Sequence, residues 1–416
     1  MRIRTDRAFE FSFLVILFFF AISLFNLAGY IFSAMVLFAF LLFAPKIRMS
    51  STAVWLVVFS MSYFLFHTIH YGADINSIIL YLIGPWSAYM LGRLYIEQSR
   101  NPNALMILLI VLSAGMYLHG ALNIVAYMRS DYFSLYNFYR QSVDFWRGEL
   151  VNVKSTEMLF VFLTGIGMGV LFTSCKTRYK VISGIVVALS IAMTVFLANR
   201  TLLVIMAVIL AWRLICWMID KRVSARSKFT VVVIGLLLVL AAVMMIGFNI
   251  AGVGDYFYSL KIVERFSSDV ELTRVDVWKN FLADFQFLEY SLGGKFLTES
   301  VDLSYFHNMW LDVYNVVGVV PFLILIILTV VLVVFFIRFN RAMKRAGQKN
   351  ELIVCQSVLL CVSLNMLVEP IIEANPYYFL IMMMFFGGME GHLCKLLRSD
   401  NMADIDRVEM PIETVR

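Results

Sequence analysis

Residues 181–220 read VISGIVVALSIAMTVFLANRTLLVIMAVILAWRLICWMID, and this stretch decides the architecture. It forms one apolar run from Val181 to Asp220, broken only by Asn199-Arg200-Thr201. A single helix of that length would measure roughly 60 Å, about twice the hydrocarbon thickness of a bilayer. The segment therefore predicts two membrane spans folded into a hairpin at Arg200.

The rest of the chain has the same character. Its 416 residues are 61% hydrophobic and 15% charged, with 37 Phe and 24 Met, and the mean hydropathy is +0.84. An average soluble domain carries about a quarter charged residues, so a water-soluble globule is excluded. Hydropathy predicts an all-α polytopic membrane protein of twelve spans, at 9–25, 29–45, 52–69, 77–93, 104–127, 156–173, 181–198, 201–219, 229–252, 309–337, 351–368 and 377–393. The first follows Arg2, Arg4 and Arg7 but has no small-residue cleavage site after it, so it reads as a retained helix. The five cysteines have neither metal-ligand spacing nor a pairing partner in a long loop, and no disulfide, metal or cofactor is expected.

Charge sets the expected sidedness, because cytoplasmic loops are enriched in Lys and Arg. From a cytoplasmic N-terminus, every short inner loop is basic, while the short outer turns near 27, 72 and 372 contain neither Lys nor Arg. Arg213 falls near an inner helix end, where it is expected to snorkel. The net charge of +6 then reflects topology and anionic inner-leaflet lipid, and nucleic-acid binding does not follow from it. The chain divides into spans one to nine (1–253) with an interfacial loop at 129–154, an exterior loop with short helices (254–308), three further spans (309–393) and a cytoplasmic tail (394–416).

Ionisable groups near hydrocarbon depth are costly and mark candidate sites. Arg200 begins the eighth span, where its guanidinium and the free N–H groups of a helix N-terminus suit a phosphate; the alternative is snorkelling to lipid headgroups. Arg274 lies one helical turn before Trp278 in an amphipathic stretch, Leu272 to Leu288, which also reads as a solvated helix face. His307 immediately precedes the tenth span. Taken as one continuous helix, that segment puts His307, Leu311 and Gly318 on one face, and the helix N-terminus favours a neutral ring able to accept a proton. The alternative is an interfacial histidine capping a helix. Glu369 and Glu373 close the eleventh span, and the aromatic loop 131–154 carries Arg140. Arg140, Arg200, Arg274, His307 and Glu369 all fall on the exterior side.

At His307 the sequence resembles the O-antigen ligase and polymerase superfamily of membrane glycosyltransferases. The resemblance rests on His307-Asn308 followed by Gly318 at the start of a late span, the long exterior loop before it, Arg274 with Trp278, the Leu292-Gly293-Gly294 turn and the Arg200 hairpin. It covers roughly Leu197 to Glu369. The family's second glycine, three residues after the first, is here Pro321, which suggests a kink below His307.

The resemblance implies a GT-C-like fold in the bacterial inner membrane, with both termini cytoplasmic and the active site on the periplasmic side. It implies a metal-independent, inverting transfer of an oligosaccharide from undecaprenyl pyrophosphate to a lipid-linked acceptor, in O-antigen or capsule synthesis. Arg200 and Arg274 would clamp the pyrophosphate, and His307 would deprotonate the acceptor hydroxyl. Asn308, Trp278, Arg140 and Glu369 would bind substrate. Membrane lipid and a chain-length regulator protein are the further partners. Transfer to lipid A core, making a ligase, is the alternative, and a flippase for lipid-linked saccharides is the competing class.

Overall fold

The computed structural model describes residues 2–43, 49–133, 141–220, 224–267, 278–279, 292–295 and 305–408. The protein is an all-α polytopic membrane protein. Among the described residues ten helices are long and apolar enough to cross a membrane, and Glu10–Ala21 and Ala28–Leu37 are shorter apolar segments. The main elements are α1 (Arg2–Ala21), α2 (Ala28–Phe43), α3 (Ser51–Tyr71), α4 (Gly84–Gln98), α5 (Ala104–Arg129), α6 (Val153–Met158), α7 (Val161–Leu171), α8 (Thr177–Phe196), α9 (Thr201–Ile219), α10 (Ala225–Gly247), α11 (Met309–Val317), α12 (Val319–Arg345), α13 (Lys349–Val368), α14 (Ile371–Ala374) and α15 (Pro376–Val408). The 181–220 run breaks at the expected place, between α8 and α9. Ala198 there takes the left-handed conformation, φ 47°.

In lipid, helices gain little from hiding apolar surface and associate through close packing, which small residues permit. The α4–α15 pair shows this most plainly. A Cβ at Gly92 would collide with the backbone of Met384, and one at Gly387 with the backbone of Tyr89. Gly165 and Gly169 likewise bring α7 against Val358 and Val354 of α13.

Three features differ from the sequence expectations. The expected tenth span, 309–337, is two helices, and of these α12 alone is long and apolar enough to cross a membrane: α11 ends at Gly318, φ 87°, and α12 starts immediately after it. Gly318 therefore is not on the His307 helix face, and Pro321 sits in the first turn of α12, where a missing N–H costs nothing, so it causes no kink. The 129–154 loop contains a small antiparallel hairpin, β1 (Gln141–Val143) with β2 (Leu150–Asn152). Its tip is docked into the bundle: the Phe145 N–H donates to Asn123 Oδ1 at 2.9 Å and the Trp146 indole to the Ile22 carbonyl at 2.9 Å. Finally, Arg213 does not snorkel. It is buried and donates to Ser357 Oγ, Gln356 Oε1 and the Ile353 carbonyl, at 2.8, 3.1 and 2.6 Å.

The long 254–308 segment begins with two short helices, Val253–Ser259 and Lys261–Ser267. Of the amphipathic stretch 272–288, only residues 278–279 are described. The Leu292-Gly293-Gly294 turn closes back onto the α11–α12 break. Gly294 and Lys295 N–H donate to the Val316 and Asn315 carbonyls, at 3.0 and 2.8 Å. Gly293, φ 87°, has Gly318 N and Val316 O where a side chain would start. Glycine is required there by both its dihedral and its space.

Candidate functional site

Four chain segments converge on His307. The first is the start of α6, which places Lys154 one residue inside a helix capped by Asn152, whose side chain accepts from the Lys154 N–H. The Lys154 ammonium lies 3.0 Å from His307 Nδ1 and 3.1 Å from Nε2. An ammonium has only donors, so in this arrangement it donates to a ring nitrogen that carries no proton.

The second segment is the end of α13. Glu369 is 1% exposed, and its Oε2 lies 3.7 Å from both Lys154 Nζ and His307 Nδ1. The third is the α8–α9 hairpin, where the Thr201 hydroxyl donates to Glu369 Oε1 at 3.3 Å. Arg200 is therefore covalently adjacent to a residue that touches the site, half-buried at the N-cap of α9. One expected phosphate donor is occupied, since the Thr201 N–H donates to Asn199 Oδ1 at 3.1 Å.

The fourth segment carries His307 itself. The residue has φ 55°, a left-handed conformation uncommon for a side chain of this size and held only where its surroundings enforce it. Asn308 follows as the N-cap of α11, accepting from Trp310 and Leu311 N–H at 3.1 and 3.2 Å. Its amide donates to the Leu367 carbonyl at 3.1 Å, tying the cap to the end of α13. The Trp278 indole N–H donates to the Phe306 carbonyl at 2.9 Å.

Beneath the loop lies Asp312, 1% exposed. Its two oxygens accept from the Phe306 and Asn308 N–H groups at 2.7 and 2.9 Å. Burial pushes this carboxyl up to about 7, against the opposing pull of the two N–H groups; Glu369 adds to the rise and Lys154 opposes it. Close by, on α14, burial pushes Glu373 up to about 8.

The structure thus brings together His307, Asn308, Trp278, Glu369 and the Arg200–Thr201 tip. Arg274 and Arg140 lie outside the described residues. Lys154 and Asp312 are the participants that sequence reasoning missed. Asp312 lies inside an expected span and could have been found by the cost of a charge at that depth. Lys154 carried no such signal. No family model matches the chain, and no curated protein is similar to it at a significant level.

Chemically, the arrangement offers a half-exposed imidazole, a buried carboxylate and an ammonium in mutual reach, with a second cation on the neighbouring hairpin. A histidine beside a carboxylate suits proton abstraction from a hydroxyl. Cations beside it suit a leaving group that departs with negative charge.

Proposed function

We propose that the protein is a membrane glycosyltransferase that extends a polysaccharide, moving an oligosaccharide from undecaprenyl pyrophosphate to a second lipid-linked glycan. The ten long apolar helices together with the two shorter ones make twelve spans in a GT-C-like arrangement, both termini lie in the cytoplasm of a bacterium, and His307 faces the outer side of the inner membrane. In this reading the Lys154 ammonium turns from the unprotonated ring nitrogen to the pyrophosphate, and His307 then takes the proton from an acceptor hydroxyl whose oxygen attacks the anomeric carbon. The anomeric C–O bond breaks with inversion, and its electron pair leaves on the pyrophosphate. Lys154, Arg200 and Arg274 offset that charge, and Glu369 orients the imidazole and stabilises it once protonated. Asn308, Trp278 and Arg140 shape the binding surface.

The observation that supports the reading is the convergence of Lys154, His307 and Glu369, from segments 153 and 62 residues apart in sequence, within 3.0–3.7 Å. Isolated interfacial residues would have no reason to meet.

The test is reconstitution of the purified protein with a lipid-linked repeat unit, with and without lipid A core, scoring product length. Growing chains without core support the polymerase. A single transfer that requires core makes it a ligase, and no transfer in either arm rejects the enzyme reading.

A further inference from the structure

Three of the hydrogen bonds that hold the His307 loop act on its backbone and do not involve the imidazole. Asp312 accepts from the N–H before and the N–H after His307, and Trp278 donates to the carbonyl that precedes it. These bonds bracket a residue whose φ of 55° would otherwise relax toward the common regions of backbone space. A fully buried carboxylate is an expensive way to cap a loop, since an amide or hydroxyl could accept one such bond without the cost of burying charge. What a carboxylate does that an amide or hydroxyl does not is meet two separate backbone N–H groups with a different oxygen for each.

We infer that Asp312 is the positioning residue of the site: its ionised carboxylate clamps the backbone on both sides of His307 and so fixes where the imidazole stands relative to Lys154 and Glu369. The inference deepens the glycosyltransferase reading and rests on it for its catalytic meaning, although the clamp itself is a property of the fold. It follows that the clamp responds to protonation. Taking up a proton turns one carboxylate oxygen into a donor, which then faces an N–H and loses that bond. With Asp312 pushed up to about 7 by burial, the two-bond clamp is complete above neutrality and half-released below it. Among the described residues, the groups in electrostatic contact with Asp312 include Glu369, Lys154 and Tyr305.

The experiment measures the rate at which diethylpyrocarbonate modifies His307 in the purified full-length protein, read by mass spectrometry of the peptide, between pH 6 and 9. Taking the ratio of variant to wild-type rates at each pH cancels the titration of His307 itself. At pH 8.5 Asp312→Asn, which keeps the shape but has a single acceptor oxygen, is expected to react about fivefold faster, the change in an opening equilibrium that one lost hydrogen bond brings. That ratio should fall toward one below pH 7, where wild-type Asp312 has lost the same acceptor. A purely packing role would give a ratio independent of pH.

Trp278→Phe removes the third bond from the opposite side and should show a smaller acceleration with no pH-dependent ratio. It keeps the loop question open to test if Asp312→Asn fails to fold. Unchanged His307 reactivity in whichever of these variants folds overturns the inference. Glycan transfer by the same preparations separates the two levels. A wild type that transfers nothing removes the enzyme reading while the modification rates still decide the clamp. If wild type transfers and Asp312→Asn is slowed about a hundredfold with unchanged KM, the clamp serves catalysis.

Discussion

At one end of the bundle, Arg93 lies between Glu97 and Glu390, at 2.8 and 3.2 Å, and Ser50 closes the group by donating to Glu390 at 2.9 Å. At the other end, about 30 Å away along α3 by its rise per residue, Glu369 faces Lys154 and His307 at 3.7 Å from each. Each group holds a buried carboxylate, Glu390 in one and Glu369 in the other, and both join segments remote in sequence. The first is closed, with each charge met at hydrogen-bond distance. The second is looser, opens to the surface through a side chain 27% exposed, and includes a residue in strained backbone. Charge that only holds helices together is matched closely, because a loose buried ion pair loses desolvation energy without recovering it. Charge kept at longer range beside an accessible imidazole has room for a third party.

The sharpest way to break this contrast is to remove the centre of each group. His307→Ala should lower glycan transfer by about 10²- to 10⁴-fold, the usual contribution of a positioned base, while thermal unfolding of the purified protein stays unchanged. Arg93→Ala should do the reverse, because it takes away the cation that faces the buried Glu390 carboxylate. The expected loss is about 3–5 kcal/mol of stability, with the rate per folded molecule preserved. If His307→Ala unfolds the protein, or Arg93→Ala folds normally but is inactive, the two ends have been assigned the wrong roles.

Lys154→Met is the next largest effect. The methionine retains the stem and removes the charge, so transfer should fall about a hundredfold, as for the loss of one transition-state donor. A rate within about threefold of wild type would be too small a change for a group proposed to stabilise a developing charge. The leaving-group role would then pass to Arg200 and Arg274 alone.

These residues also show how far the sequence was legible. Runs of apolar residues announced the helices because length and hydropathy are all that crossing a bilayer demands. The α8–α9 hairpin was equally plain, since the 181–220 run is too long for one span. His307-Asn308 could be read as a helix start because an Asn N-cap has a local signature. Lys154 could not, because a lysine following a polar loop looks the same whether it faces water or a histidine 153 positions later. The break at Gly318 has a local signal: a glycine followed within three residues by proline is the usual ending of one helix and beginning of another. Asp312 is legible through the same break, because it then falls in the first turn of a short helix instead of inside an uninterrupted span.

A smaller effect sharpens the account of the His307 end. Burial pushes Glu373 up to about 8, above its value in an unfolded chain, so the folded state retains a proton that the unfolded state has lost. Stability therefore falls as pH rises from about 4.5 toward 8, by up to roughly 1.4 kcal/mol per pH unit, and is level again above that. Glu373→Gln, which cannot ionise, should remove this slope and be more stable than wild type at pH 8.5. A wild type whose unfolding midpoint is flat between pH 5 and 8 would mean that water reaches this carboxyl, making this end of the bundle wetter than its geometry implies.

The smallest effect probes the closed end. Ser50 makes two contacts from one hydroxyl: it caps α3 by accepting from the Ala53 N–H at 3.2 Å and donates to Glu390 at 2.9 Å. Ser50→Ala removes both, yet Arg93 still neutralises Glu390, so no charge is orphaned. The cost should be that of a lost N-cap, about 1 kcal/mol, visible as a lower unfolding midpoint with transfer unaltered. A loss several times larger would mean that the serine is needed to keep Arg93 and Glu390 in register, and that the closed end is less over-determined than its short distances suggest. A change in transfer rate instead would couple the two ends through α3, whose far tip is joined to the Leu292-Gly293-Gly294 turn by the hydrogen bond between His70 Nε2 and the Leu292 carbonyl, 2.6 Å. Stability and activity respond independently only if α3 transmits neither register nor strain over its length, and Ser50→Ala measures that directly because it perturbs one tip without disturbing any charge.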